Sequence, residues 1–210
     1  MEEKLKTGTT TVGITCKEGV VMATEHRATM GYLIAHKTTQ KLYKIDENLA
    51  LAVAGLVGDA QTLQRYLSAE VELYKLKHDM PMSVKAASTL MANILSGHRY
   101  YPYWVQLLIG GVDNTGNYVY SLDAAGGVIP DIYVSAGSGS VFVYGILEDH
   151  YKENISLNDA TDIAIRGITA AMKRDAASGN GIALCQITKK GYKDLPEIEI
   201  KKRQKKLDIE

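Results

Sequence analysis

Cysteine is scarce in this chain. Cys16 and Cys185 are the only two in 210 residues, and both sit in apolar, strand-like stretches where a thiol acts as a small hydrophobe. That usage fits a reducing compartment and offers no metal cluster. Net charge is lacking too: 24 Lys+Arg balance 24 Asp+Glu, so no global field attracts nucleic acid or an anionic membrane. No apolar run approaches the ~18 residues of a membrane span. The five histidines (His26, His36, His78, His98 and His150) are scattered without an H-x-x-x-H pair, so neither a metal site nor a cofactor is expected. Linkers rich in Pro, Gly or Ser are missing, and so are internal repeats, which argues for one domain. Met1–Gly8 is too short and too charged for a secretory signal, so a cytoplasmic protein is the expectation.

What is present is 46% hydrophobic residues in a legible order of elements. Thr9–Cys16 and Val20–Thr24 flank a Lys-Glu-Gly turn and read as a hairpin. Leu33–His36, Leu42–Asp46 and Leu49–Ala54 read as further strands. Asp59 is expected to cap a helix carrying Leu63, Leu67, Val71 and Tyr74 at helical spacing, and Ser83 a second one with Val84, Ala87, Met91, Ile94 and Leu95 on one face. Trp104–Val112 and Asn117–Asp123 form a second hairpin, and Ile132–Ala136 another strand. Helices over 141–151 and 157–174, the latter capped by Ser156, precede a late strand at Ile182–Thr188. The basic cluster at 201–206 reads as a solvated helix face. Strands, two helices, more strands, then two helices and a strand is not βαβ alternation. It argues α+β, with two antiparallel sheets packed together and helices on the outer faces.

The Gly8–Thr9 bond carries the most chemistry. If it is cut, Thr9 becomes a terminus bearing a γ-hydroxyl and a free α-amine, a nucleophile with its own base. An α-amine titrates near pH ~8, where proton transfer at working pH is efficient. By itself, Gly-Thr-Thr-Thr also reads as a β-propensity strand start after a glycine.

Such a nucleophile needs a cation, an orienter for that cation, and an oxyanion donor. Lys41, opening an apolar strand, is a candidate cation, and Glu25, at the end of another strand, its partner. A buried ammonium without a partner would lose its proton or destabilise the fold. Taken separately, the two also read as unrelated surface charges. Gly55 ends a strand and lets its N–H approach a carbonyl with no Cβ in the way, although strand-end glycines also simply make turns. Ser138 lies in Gly-Ser-Gly-Ser, which lacks the lysine and spacing of a phosphate loop. Asp175 and Ser178 follow a helix in an Asp-x-x-Ser pattern that also suits an ordinary helix end.

Several stretches converge in order. They are Gly8-Thr-Thr-Thr-Val-Gly13, Ala23-Thr-Glu-His-Arg-Ala-Thr-Met30, Lys41-Leu-Tyr-Lys-Ile-Asp46 and Ala54-Gly-Leu-Val-Gly-Asp-Ala-Gln61. Further on come Pro102 through Gly111, Ser121-Leu-Asp-Ala-Ala-Gly-Gly127, Gly137-Ser-Gly-Ser140 with Tyr144-Gly-Ile-Leu147, and Arg174-Asp-Ala-Ala-Ser-Gly179. Over nearly its whole length the chain resembles the β subunits of archaeal 20S proteasomes, which are N-terminal-nucleophile (Ntn) hydrolases.

The resemblance implies a four-layer αββα sandwich of Ntn-hydrolase fold. It also implies a propeptide, residues 1–8, removed by autolysis, and one domain over 9–210. Thr9 matches the nucleophile, Glu25 and Lys41 the charged pair beside it, and Gly55 the oxyanion donor. Ser138, Asp175 and Ser178 match the polar set that orders the amine and a catalytic water. Thr29 matches a backbone contact to bound peptide, and Ala28, Val53 and Val57 match positions around a roomy apolar specificity pocket. Ala176 stands where serine is frequent and Asn180 in a variable spot, neither with an inferred catalytic role. Implied partners are proteasome α subunits and other β subunits, in stacked rings of seven forming a 28-mer core. An ATPase ring acts indirectly, and the substrates are unfolded polypeptides. The alternatives are a non-catalytic ring subunit of the same fold and an Ntn amidohydrolase acting on a small substrate.

Overall fold

Period-two alternation decides which layer each strand residue enters. In the computed structural model, which describes residues 8–209, Thr11–Cys16 (β1) pairs antiparallel with Gly19–Glu25 (β2) from Thr11↔Thr24 to Cys16↔Gly19. Val12 and Ile14 of β1 share one face with Val21 and Ala23 of β2, while Val20 and Met22 take the other. Ala28–Met30 (β3) and Leu33–His36 (β4) make a small separate hairpin. Leu42–Asp46 (β5) and Leu49–Gly55 (β6) open a second sheet.

Two helices follow, Val57–His78 (α1) and Val84–Gly97 (α2). The Ser83 hydroxyl caps α2 as expected, accepting from Ala86 N at 3.2 Å. The expectation for Asp59 needs correcting. The N-cap of α1 is Leu56, and Asp59 lies inside the first turn. Its carboxylate is engaged elsewhere, accepting from Trp104 N at 2.8 Å, while its charge still suits a helix N-terminus.

The second sheet continues through Val105–Asp113 (β7), Gly116–Leu122 (β8) and Val128–Asp131 (β9). Tyr133–Ala136 (β10) returns to the first sheet. Ser140–His150 (α3) and Leu157–Arg174 (α4) come next, the latter capped by Ser156, which accepts from Asp159 N at 3.1 Å. Ile182–Thr188 (β11), Gly191–Asp194 (β12) and Glu197–Lys206 (α5) complete the chain. The basic cluster is on α5, as expected, but not all of it is solvated. Arg203 binds Asp162 at 2.6 Å and Asn158 at 3.0 Å, tying α5 to α4.

The sheets run β10-β1-β2-β11-β12 and β5-β6-β7-β8-β9. Val20, Met22, Ala52, Leu108, Val119 and Cys185 fill the layer between them. Leu63, Leu67, Met91 and Leu95 pack α1 and α2 on the second sheet, and Val143, Leu147, Ile165 and Ile168 pack α3 and α4 on the first. Each such fully buried side chain contributes about 1.5–3 kcal/mol. The result is the expected α+β, four-layer αββα sandwich.

This topology concentrates strand ends. The start of β1 lies beside the ends of β2 and β10, and the end of β2 beside the start of β11, where Ile182 faces Glu25. Most candidate site residues fall in or next to one of these ends or the paired ends of β5 and β6, while Asp175 caps the C-terminus of α4 and Ala28 and Thr29 lie on β3.

Candidate active site

Glu25 ends β2 with no solvent exposure, and four donors meet its carboxylate. Oε1 accepts from the Lys41 ammonium and from Thr10 N at 3.3 Å, and Oε2 from Arg27 N at 2.6 Å and Gly179 N at 3.1 Å. Lys41, 6% exposed, also donates to Arg27 O. Burial pushes the Lys41 amine below its ordinary value, and the Glu25 carboxylate opposes that shift. The expected pairing of Glu25 with Lys41 is therefore present, three backbone amides reinforcing the carboxylate.

Thr9 is 3% exposed just ahead of β1. Its hydroxyl donates to Gly8 O at 2.7 Å, the carbonyl of the bond that scission would open. Its N–H donates to Ser138 Oγ at 3.2 Å. Ser138 in turn donates to Asp175 Oδ2 at 2.6 Å, and Ser178 to the same oxygen at 2.7 Å. The Ser178 hydroxyl also meets that of Thr10 at 2.6 Å. A relay thus runs from the Thr9 nitrogen to a carboxylate through one hydroxyl. Gly8 is closely surrounded: a Cβ there would stand 2.0 Å from Ala177 Cβ and 2.7 Å from Ser138 Oγ. Of the expected propeptide, residues 1–7 lie outside the described residues.

Gly55, at the end of β6, has φ 136, and a Cβ would meet Trp104 O at 2.0 Å. Only glycine suits that backbone. An open cleft of ≈ 710 Å³ reaches Thr9, lined by Gly55, Tyr103, Trp104, Gln106 and Ser138 among others. A second cavity brings Thr9, Lys41, Val53, Gly55 and Val57 together, but holds only ≈ 10 Å³, the room of about one water. Thr39, Gln40 and Ala60 complete its wall. Ala28 does not line it; that residue lies on β3, paired with His36. Thr29 is near the Gly8–Thr9 bond, its hydroxyl accepting from Gly8 N at 3.4 Å. Thr10, Arg27 and Ala177 went unnoticed in the sequence because their roles come from contacts across the chain, which no local pattern displays. Among the described residues, no group of three or more His, Cys, Asp or Glu is arranged to hold a metal ion.

The family described as Proteasome subunit matches residues 5–187. The chain belongs to the proteasome subunit family. Relatives named proteasome subunit beta cover it almost end to end. The one from Methanothermobacter thermautotrophicus is 54% identical over 202 residues, 96% of each chain. That from Thermoplasma acidophilum is 51% identical over 210 residues, 100% of this chain and 99% of its own. That from Picrophilus torridus is 52% identical over 209 residues, 99% of both. In this proteasome subunit the matched span includes the strand-end cluster from Thr9 to Ser178 described above.

Proposed function

We propose that Thr9, freed by scission of the Gly8–Thr9 bond, is the nucleophile of this chain. The chain is a catalytic β subunit of the 20S proteasome core, a threonine endopeptidase. One observation carries the assignment of Thr9: a nearly buried hydroxyl against the Gly8 carbonyl, with its nitrogen on the Ser138–Asp175 relay.

In autolysis, Thr9 Oγ attacks the Gly8 carbonyl carbon. The C–N bond breaks as nitrogen takes a proton, leaving an ester that water hydrolyses. The products are a Gly8 carboxylate and a free Thr9 amine. In peptide hydrolysis, Thr9 Oγ attacks the substrate carbonyl while its own amine takes the hydroxyl proton. The Gly55 N–H stabilises the oxyanion, a role whose loss costs on the order of 10² to 10³ in rate. The amine returns the proton to the departing substrate nitrogen, and water releases the acyl group from Thr9. Lys41, oriented by Glu25, supplies positive charge beside Thr9 and favours the neutral amine. Ser138, Asp175 and Ser178 hold the amine in line. Thr29 contacts the bound peptide, and Val53 and Val57 favour an apolar residue before the cut.

A proteasome subunit works in rings with other subunits. The finer expectation is rings of seven stacked with α subunits into a 28-mer, fed unfolded chains by an ATPase ring in the cytoplasm. No helix among the described residues is long and apolar enough to cross a membrane.

The test is the intact mass of the chain co-assembled with its α partner. Loss of residues 1–8, abolished by Thr9→Ala, is expected. A full-length mass in an assembled wild-type particle would leave a non-catalytic ring subunit as the better account.

A further inference from the structure

Arg27 links the two halves of the site. Its backbone serves one half: its oxygen accepts from the Lys41 ammonium and its amide donates to Glu25 Oε2 at 2.6 Å. Its side chain serves the other, the turn between α4 and β11. Nη1 donates to Ala176 O at 2.7 Å, and Nε to Asn180 Oδ1 at 2.8 Å. These two acceptors bracket Ser178 and Gly179. The guanidinium lies flat against Gly179, where a Cβ would stand 2.3 Å from Nη2. Asn180 has φ 68, a left-handed conformation that asparagine tolerates better than most residues.

A guanidinium presents its donors in a rigid fork, so two acceptors bound to it are held at a fixed separation. Here that separation is the span from residue 176 to residue 180, which holds Ser178 and directly follows Asp175. Asp175 Oδ2 orients Ser138, and Ser138 holds the Thr9 nitrogen. A change in the turn therefore reaches the amine that is to act as the base. The same turn sends Gly179 N to Glu25 and receives His26 N on Gly179 O at 3.1 Å. The backbone contacts position its middle, and the Arg27 fork fixes its two ends.

We propose that Asn180, acting through Arg27, is a positioning residue for the Thr9 amine. The inference rests on Thr9 being the nucleophile. Asn180 touches none of the reacting atoms, and it is exposed, so its truncation removes nothing from the core.

The test compares wild type, Asn180→Ala and Asn180→Asp in the particle assembled with the α partner, using a short fluorogenic peptide with an apolar residue before the cut. Asn180→Ala is expected to lower kcat about tenfold, the scale of a sub-ångström misplacement of a catalytic group. KM should stay within about twofold, since peptide binding is not what the fork controls. Asn180→Asp keeps an acceptor oxygen for Arg27 and should recover most of the lost kcat. A wild-type kcat for Asn180→Ala, a loss confined to KM, or an aspartate variant no better than the alanine would each overturn the proposal. So would failure of Asn180→Ala to assemble, which would mark a folding residue instead. A processed but inactive wild-type particle would overturn the reading of Thr9 itself.

Discussion

The Lys41 ammonium and the Glu25 carboxylate form an ion pair with side-chain exposures of only 7% and 0%. Their dependence on each other is unequal. Without Lys41, Glu25 keeps three backbone donors, from Thr10, Arg27 and Gly179. Without Glu25, Lys41 keeps, among the described residues, the single carbonyl of Arg27. Removing one member of a buried pair costs about 3–5 kcal/mol when the survivor is left uncompensated. Glu25→Gln should approach that range, because its amide group would also face backbone N–H donors. Lys41→Met should cost clearly less, and both should lack peptidase activity. Denaturant unfolding of the two variants checks this order, and a Lys41→Met variant less stable than Glu25→Gln would contradict it.

The same burial has a pH signature. The Lys41 amine titrates below its ordinary 10.5 in the folded chain, with burial as the main cause. Between the folded and ordinary values the unfolded chain holds the extra proton, so stability on this account rises with pH across that window. Below the folded value the penalty for the buried charge is fully present, and above 10.5 it is gone. Lys41→Met should flatten this rise. Unfolding free energies of both proteins from neutral pH to about pH 10 provide the comparison, and parallel curves would contradict it.

Scission should depend on the absence of a side chain at residue 8, for a reason the structure makes specific. A Cβ on Gly8 would lie 2.0 Å from the Ala177 methyl. Gly8→Ala must therefore shift residue 8 or the turn at Ala177, and the expected shift of residue 8 moves its carbonyl away from the Thr9 hydroxyl, now 2.7 Å from its oxygen. Misplacement of that size costs on the order of 10²-fold. Ala177→Gly removes the first obstruction, leaving the 2.7 Å contact with a hydroxyl that can rotate. A time course of intact mass should show Gly8→Ala processed slowly and the double variant Gly8→Ala/Ala177→Gly processed faster. Equal rates for the two would remove Ala177 from the explanation.

The layers were legible because they rest on local signals. Ser83 and Ser156 announce their helices by capping, and the Val20/Met22 against Val21/Ala23 alternation assigns strand faces from spacing alone. Edge strands were harder to see. β9 contains Pro130, which cannot donate to a ladder and survives only at an edge, and β12 spans four residues with little apolar pattern. In the site, Glu25, Lys41 and Gly55 stand out as strand-end residues, whereas Arg27 looks like an ordinary surface cation. Its importance lies in acceptors at 176 and 180, about 150 positions away in sequence, joined only when β2 and β11 pair. The size of the cavity beside Val53 and Val57 is not legible in the sequence, because side-chain volumes at a few positions do not fix the space between them. Thr39 and Gln40 also fill that wall.

Gly55 is expected to be intolerant of any side chain, and two measurements separate the reasons. Its φ of 136 lies where L-residues are strained, at about 1–3 kcal/mol, and a Cβ would press on Trp104 O at 2.0 Å. Gly55→Ala should therefore lower the unfolding midpoint. Movement of the 55–56 backbone away from Trp104 would also displace the N–H proposed to face the oxyanion. The Leu56 N to Trp104 O bond, 2.9 Å, ties that backbone to the same carbonyl, so the clash and the anchor act on one short segment. Loss of an oxyanion donor lowers kcat on the order of 10² to 10³. The variant should still lose residues 1–8 if Thr9 attacks the Gly8 carbonyl without help from Gly55, because Gly8 packs against Ala177 and Ser138 and does not line the cavity where Thr9 meets Gly55. A Gly55→Ala particle that is processed yet hydrolyses peptides poorly would assign the two reactions different oxyanion donors. One that is folded, unprocessed and inactive would assign them the same donor. Wild-type peptide kinetics in a folded variant would take Gly55 out of the mechanism.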